Sequence, residues 1–147
     1  MPQKNSHTFK ELDHTADVGL EIFGDNLNEV FSNALFGMLH ILYTDIKVEP
    51  KQIKRLNLVN NSLPDLLVEF LSEINFLILC DHFVPGTKTK ITIEKDKDLL
   101  KLNAELAGEN SVKFQNFLNT EIKAVTYHQL EVTKKENGYY AKVIFDI

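Results

Sequence analysis

A single cysteine, Cys80, occurs among the 147 residues, so the chain can build neither an internal disulfide nor a cysteine-based zinc site. A reducing, cytoplasmic compartment is the natural expectation. No stretch approaches the roughly 20 consecutive apolar residues that span a bilayer, so a soluble protein with no membrane partner is expected. The segment from Met1 to Lys10 is polar and lacks the apolar centre of a secretory signal. Basic residues are in deficit, with 16 Lys and Arg against 21 Asp and Glu and a formal net charge of −5. Nucleic-acid binders usually carry the opposite sign, because they neutralise phosphates. The densest basic stretch, Lys88 to Lys101, is diluted by Glu94, Asp96 and Asp98 and reads as the solvated side of two strands. RNA, if it matters to this protein, should be met through a partner.

Signatures of the common enzyme classes are missing too. Gly86-Thr87-Lys88-Thr89 lacks the adjacent Gly-Lys pair and the earlier glycine of a phosphate loop. There is no Gly-x-Ser-x-Gly elbow and no His-Glu-x-x-His. No nucleophile stands beside an evident base, which argues against a standalone enzyme.

What is present suits one globular domain over residues 1–147, with 44% hydrophobic and 25% charged residues. A chain of this size buries roughly 70% of its unfolded surface and needs no metal or disulfide to hold a core. Val18, Leu20 and Ile22 alternate as one face of a strand ended by Gly24-Asp25. Leu27, Val30, Phe31, Ala34, Leu35, Met38 and Leu39 then form a helical stripe, with Asn26 as cap and Glu29 three residues on. After a connection from Tyr43 to Pro50, Ile53, Leu56 and Leu58 mark a second strand. Ser62 caps a second helix with Pro64 in its first turn, and its stripe runs Leu66, Leu67, Phe70, Leu71, Ile74, Leu77 and Ile78. Phe76 to Cys80 is so apolar that it should be surrounded by protein, with Cys80 a buried hydrophobe. Strands follow at Lys88–Glu94 and Leu99–Leu106, then a loop from Gly108 to Asn119. A hairpin of Val125–Lys134 and Tyr139–Ile147 closes on Asn137-Gly138, the signal for a type I′ turn with positive φ at both central residues. The order predicts an α+β domain with a mostly antiparallel sheet and helices on one side.

Three segments could carry chemistry. Asp13-His14-Thr15-Ala16-Asp17 places two carboxylates, an imidazole and a hydroxyl at a strand end. By pattern alone the favoured reading is a polar turn bonded to its own backbone. At the other end of the chain, Ala141, Val143, Phe145 and Ile147 alternate with Lys142, Ile144 and Asp146. That strand-like ending sets the Asp146 side chain near the Ile147 α-carboxylate. Two such groups repel unless a cation offsets them, and hard cations such as calcium, magnesium or manganese take oxygen ligands. Convergence of Asp17 on Asp146 and Ile147 would make an oxygen-only site, but by pattern alone an exposed strand end with solvated charges is the favoured reading. The third segment holds Glu121, Lys123, Tyr127 and His128 around a short apolar run, which is either strand surface or a site margin.

In combination these segments resemble the archease family. The resemblance rests on Asp13-His14-Thr15-Ala16-Asp17-Val18-Gly19, on Gly24-Asp25 opening a helix through Gly37-Met38-Leu39, on Glu121 to His128, and on Val143-Ile144-Phe145-Asp146-Ile147. It runs in order from about residue 8 to the last residue. It implies a fold of two related strand-helix-strand-strand units. It also implies a non-catalytic activator of an RtcB-type RNA ligase, which promotes guanylylation and so multiple turnover in tRNA splicing. The implied metal ligands are Asp17, Asp146 and Ile147, holding a divalent cation, calcium before magnesium or manganese. His14, Lys123 and His128 are possible supporting residues. The expectation is a cytoplasmic monomer that meets RNA only through the ligase. A metal-dependent phosphoesterase using the same carboxylates and a chaperone-like binding module are the alternatives.

Overall fold

The computed structural model describes residues 8–13 and 16–147, with Asp13 by its backbone alone. Strands β1 (Phe9–Asp13) and β2 (Asp17–Gly24) lead into helix α1 (Leu27–Leu42), followed by β3 (Gln52–Asn60) and helix α2 (Leu63–Leu79). Then come β4 (Phe83–Pro85), β5 (Lys90–Asp96), β6 (Leu99–Asn110), a 3-10 helix (Ser111–Phe117), β7 (Ala124–Lys135) and β8 (Gly138–Asp146).

The helix starts follow from capping chemistry. The Asn26 side chain accepts from the Glu29 N–H at 2.9 Å, and Glu29 Oε1 accepts in return from the Asp25 N–H at 2.8 Å. At α2 the Ser62 hydroxyl accepts from the Asp65 N–H at 3.3 Å, and Pro64 sits in the first turn, where no N–H is missed.

Every strand pairing is antiparallel. One sheet has the order β1-β2-β8-β7. In the other, β6 pairs with β3 along one edge, while β5 and then β4 follow one another along its opposite edge. The two sheets repeat one path. In β2-α1-β7-β8 and in β3-α2-β5-β6, a leading strand enters a helix and then pairs with the second strand of a hairpin. The second unit is inserted between α1 and β7 of the first, which is the duplication the resemblance implies.

Each helix packs on its own sheet and reaches the other. α1 lies on β2 and touches β5, while α2 lies across β3 and β4 and packs at least as closely on β7. Phe31 and Phe70, both fully buried, meet between the helices with ring centroids 5.8 Å apart. Val18, Leu20 and Ile22 of β2 and Ala141, Val143 and Phe145 of β8 face this core, so the alternate residues of those strands face away from it.

β3 stands where Ile53, Leu56 and Leu58 placed it, with Leu56 and Leu58 packed against the core and Ile53 outward at 53% exposure. Three expectations are corrected. Phe76 and Leu79 are 52% and 40% exposed and Cys80 is exposed, because α2 stays amphipathic to its end and Cys80 is its C-cap. The segment expected as a loop from Gly108 continues β6 to Asn110 and then forms the 3-10 helix. In the last hairpin Gly138 (φ 145°) already pairs with Lys135, so the turn residues are Glu136 and Asn137. Positive φ is needed at Gly138 alone, where a Cβ would stand 2.5 Å from the Gly24 carbonyl oxygen.

Candidate metal centre

The open corner of the first sheet is set by the β2–β8 register, in which Asp17 lies opposite Asp146. Cross-strand partners project from the same face. Since Val18 and Phe145 take the core side, both carboxylates take the other. On the third strand Ala124 lies opposite Asp146. Three main-chain features fix the corner. The ladder joins Asp17 to Asp146, the Lys123 N–H donates to the Asp146 carbonyl at 2.8 Å, and the Ile147 N–H donates to the Ala16 carbonyl at 3.3 Å. Ile147 is half-buried and packs against the core, so its backbone follows β8 directly past Asp146.

Like charges facing each other across two strands destabilise the pair. Asp17 Oδ1 is buried and has no hydrogen-bond partner, an arrangement that costs free energy unless something else supplies positive charge. Two other carboxylates on these sheets, Glu21 and Glu109, have partners. Further along the same face, Glu21 accepts from the Tyr140 hydroxyl at 2.8 Å. Burial of Tyr140, reinforced by that carboxylate, pushes its phenol well above the ordinary range. At the matching corner of the second sheet, β3 and β6 begin their ladder at Gln52 and Gly108. There the buried Glu109 accepts from the Glu49 N–H at 2.7 Å and pairs with Lys113 at 3.2 Å and Lys51 at 3.6 Å. The two units thus carry carboxylates at the same corner. One is neutralised from within the chain. Among the described residues, the other pairs two aspartates with no ion pair to either.

This donor set suits a hard divalent cation, because carboxylate oxygens are its preferred ligands and an orphaned buried oxygen is what such an ion satisfies. Asp17 and Asp146 are the side chains available here, and the Ile147 backbone runs on beside them. Among the described residues no cluster of three His, Cys, Asp or Glu side chains gathers anywhere, and this corner brings together two.

The supporting residues fall around this corner unequally. Lys123 and His128 are exposed. Lys123 contributes its N–H, while His128 sits in an irregularity of β7 between Thr126 and Glu131. The Thr126 hydroxyl donates to the Ile144 carbonyl at 2.9 Å and accepts from the His128 N–H at 3.3 Å. Gln129 takes positive φ (51°) and accepts from Lys142 Nζ at 2.6 Å. Tyr127 stands 65% exposed on the same bulge and Glu121 is exposed. His14 lies outside the described residues. Two surface pockets, of about 730 and 640 Å³, are lined by Leu27, Leu63 and Val132 and by Phe23, Glu29 and Tyr140 respectively. Neither includes Asp17 or Asp146.

Sequence reasoning passed over Asn75. It is a polar residue on the inward side of α2, 8% exposed, whose Nδ2 donates to the Ile122 carbonyl at 2.9 Å. An asparagine beside Ile74 in an otherwise apolar stretch was the available signal.

Comparison with known proteins agrees along the whole described fold. The family model described as the archease protein family (MTH1598/TM1083) matches residues 9–147. Protein archease of Methanosarcina barkeri is 34% identical over 139 residues, which cover 95% of each chain. Protein archease of Saccharolobus islandicus is 33% identical over 143 residues, covering 95% of this chain and 99% of that one. Protein 1598 of Methanobacterium thermoautotrophicum, solved in solution, superimposes with a TM-score of 0.79 at 28% identity, covering 96% of this chain and 99% of that one. The crystal structure of an archease and possible chaperone from Thermotoga maritima gives a TM-score of 0.57 at 22% identity, covering 94% and 96%.

Proposed function

The chain belongs to the archease family, and on that premise we propose that it is a non-catalytic activator of an RtcB-type RNA ligase. In this reading it promotes guanylylation of the ligase, and so its multiple turnover, through a divalent cation held at Asp17, Asp146 and Ile147. The observation that carries the reading is the uncompensated pair of aspartates opposed across β2 and β8, one with a buried oxygen that has no partner. Calcium is the favoured ion, with magnesium and manganese as alternatives, since all three take oxygen ligands. Bound between partners, such an ion stabilises charge on a transferring phosphoryl group. The ligase supplies the reacting groups. The chain supplies the oxygen ligands and holds them on a rigid ladder.

The pair stands at a sheet corner on the strand ladder, a placement that suits contact with a partner, whereas a phosphoesterase would need a pocket for its own substrate. Acidic net charge suits docking on a basic, RNA-binding enzyme, with RNA met only through that partner. The protein acts in this reading as a cytoplasmic monomer, with Lys123 and His128 at the margin of the contact and His14 beside Asp17 in sequence. The test is multiple-turnover RNA ligation by the cognate ligase with the wild type and with Asp17→Ala or Asp146→Ala. Wild-type protein should raise turnover, and each variant should fall back to the ligase-alone rate while keeping its fold by circular dichroism. Full activity in folded variants would leave a chaperone-like binding surface as the working explanation. Phosphoester hydrolysis by the wild type without any ligase would reinstate the phosphoesterase.

A further inference from the structure

We infer that Asn75, on the helix of the inserted unit, is the positioning residue that fixes the cation corner from beneath. The inference rests on the reading of Asp17 and Asp146 as cation ligands. Asn75 is more than nine-tenths buried, and its Nδ2 donates to the Ile122 carbonyl at 2.9 Å. Ile122 is itself only 1% exposed. The next residue, Lys123, gives its N–H to the Asp146 carbonyl at 2.8 Å, and Ala124 then opens β7 opposite Asp146. An unbroken chain of two short hydrogen bonds and one peptide unit therefore runs from the interior of α2 to the backbone of a proposed ligand. β8 is held on its other side by β2, through the Asp17 pairing and the Ile147 N–H on the Ala16 carbonyl. The position of Asp146 relative to Asp17 is thus set from both flanks, and one of those flanks begins at Asn75.

Asn75 Oδ1 is buried and has no partner. A buried amide that satisfies only one end is a poor way to gain stability, because the orphaned oxygen offsets much of what the Nδ2 bond contributes. An apolar residue of similar volume would remove the orphaned oxygen, though it would leave the buried Ile122 carbonyl without its donor. The economical account of an asparagine there is the directed bond to Ile122. Groups behind metal ligands orient them in this way, and their loss characteristically costs about 10–100-fold in metal affinity. Asn33 provides an internal control. It is a buried asparagine on α1 whose Nδ2 donates to the Phe23 carbonyl at 2.7 Å, near the opposite end of β2.

The experiment pairs calcium titration by isothermal calorimetry with amide hydrogen exchange at Lys123, on the wild type, Asn75→Leu and Asn33→Leu. Asn75→Leu should keep the fold, since removing the orphaned Oδ1 offsets part of the cost of leaving the Ile122 carbonyl without its donor. It should speed exchange at the Lys123 amide in cation-free protein and weaken calcium binding by about 10-fold. Asn33→Leu should leave both readings at the wild-type level. Asn75→Ser, too short to reach Ile122, should reproduce the effect and stands in if the leucine variant does not fold. Wild-type calcium affinity and wild-type Lys123 exchange in a folded Asn75 variant would overturn the inference while the carboxylate reading stands. Absence of calcium binding by the wild type itself would overturn that reading, and the positioning role with it.

Discussion

Glu109 shows how a single carboxylate can be held buried in this fold. The Glu49 N–H is the main cause that keeps its carboxyl below the ordinary value of 4.5. Burial opposes that shift, and the ammonium groups of Lys113 and Lys51 assist it. Both lysines are about half exposed, at 48% and 59%, so solvent screens their share and the main-chain bond carries the effect. A pKa that is lower in the folded than in the unfolded state contributes stability that is complete above the ordinary glutamate value. That stability is lost as pH falls through the folded-state value. Melting temperatures taken from pH 7 down to pH 3 should therefore fall less steeply for Glu109→Gln than for the wild type, from a lower starting point at neutral pH. Parallel curves would mean that Glu109 is not a source of the acid sensitivity. The contrast with Asp17 bears on legibility. In the sequence Asp17 and Glu109 are two acids among 21, and only the strand register shows that one is neutralised and the other opposed by Asp146. The resemblance to a family, not the spacing, is what singled out Asp17, Asp146 and Ile147. Asn75 went unread because its bond to Ile122 spans 47 positions, which no local pattern reports.

At the scale of elements, periodicity served where a segment was long and amphipathic. α1 and α2 stand where their stripes placed them, and the apolar alternation of β2, β6 and β8 marks their inward faces. The short strands β1 and β4 were missed for a physical reason. Five and three residues are too few to display a period of two, and what holds them is pairing with β2 and β6 rather than any pattern of their own. For β4 the decisive residue lies on its partner. A Cβ added at Gly108 would stand 1.9 Å from the Val84 carbonyl oxygen and 2.8 Å from Pro85 Cα, and main-chain atoms cannot rotate aside. Gly108→Ala must therefore part β4 from β6, and about 1–3 kcal/mol or more of stability should go with it. Urea titration gives the global figure, and hydrogen exchange should show the loss concentrated at Phe83 and Val84. Unchanged protection there would mean that the crossing relaxes without separation.

For the whole molecule the arrangement of units sets how stability is shared. The second unit is inserted between α1 and β7, so β2 cannot meet β8 until the intervening chain has folded back on itself, with Asp17 finding Asp146 across nearly the full length. Closing so long a loop is entropically costly, and the return comes from one apolar cluster to which both sheets and both helices contribute. Phe70 lies at its centre, fully buried on α2 against Phe31 of α1. Truncation to Ala leaves a cavity shared by both units and should cost about 3–5 kcal/mol. Because α2 also touches β7 of the first sheet, the loss should not stay within the second unit. Exchange at Leu20 and Val143 in one sheet should accelerate together with exchange at Leu102 and Leu106 in the other, and calcium should slow both by the same factor. That joint response is what a cation bound to native protein produces when the sheets unfold as one body. Selective loss of protection at Leu102 and Leu106, with Leu20 and Val143 unaffected, would instead make the inserted unit a separable piece. The corner at Asp17 and Asp146 would then be independent of it, contrary to the link through Asn75.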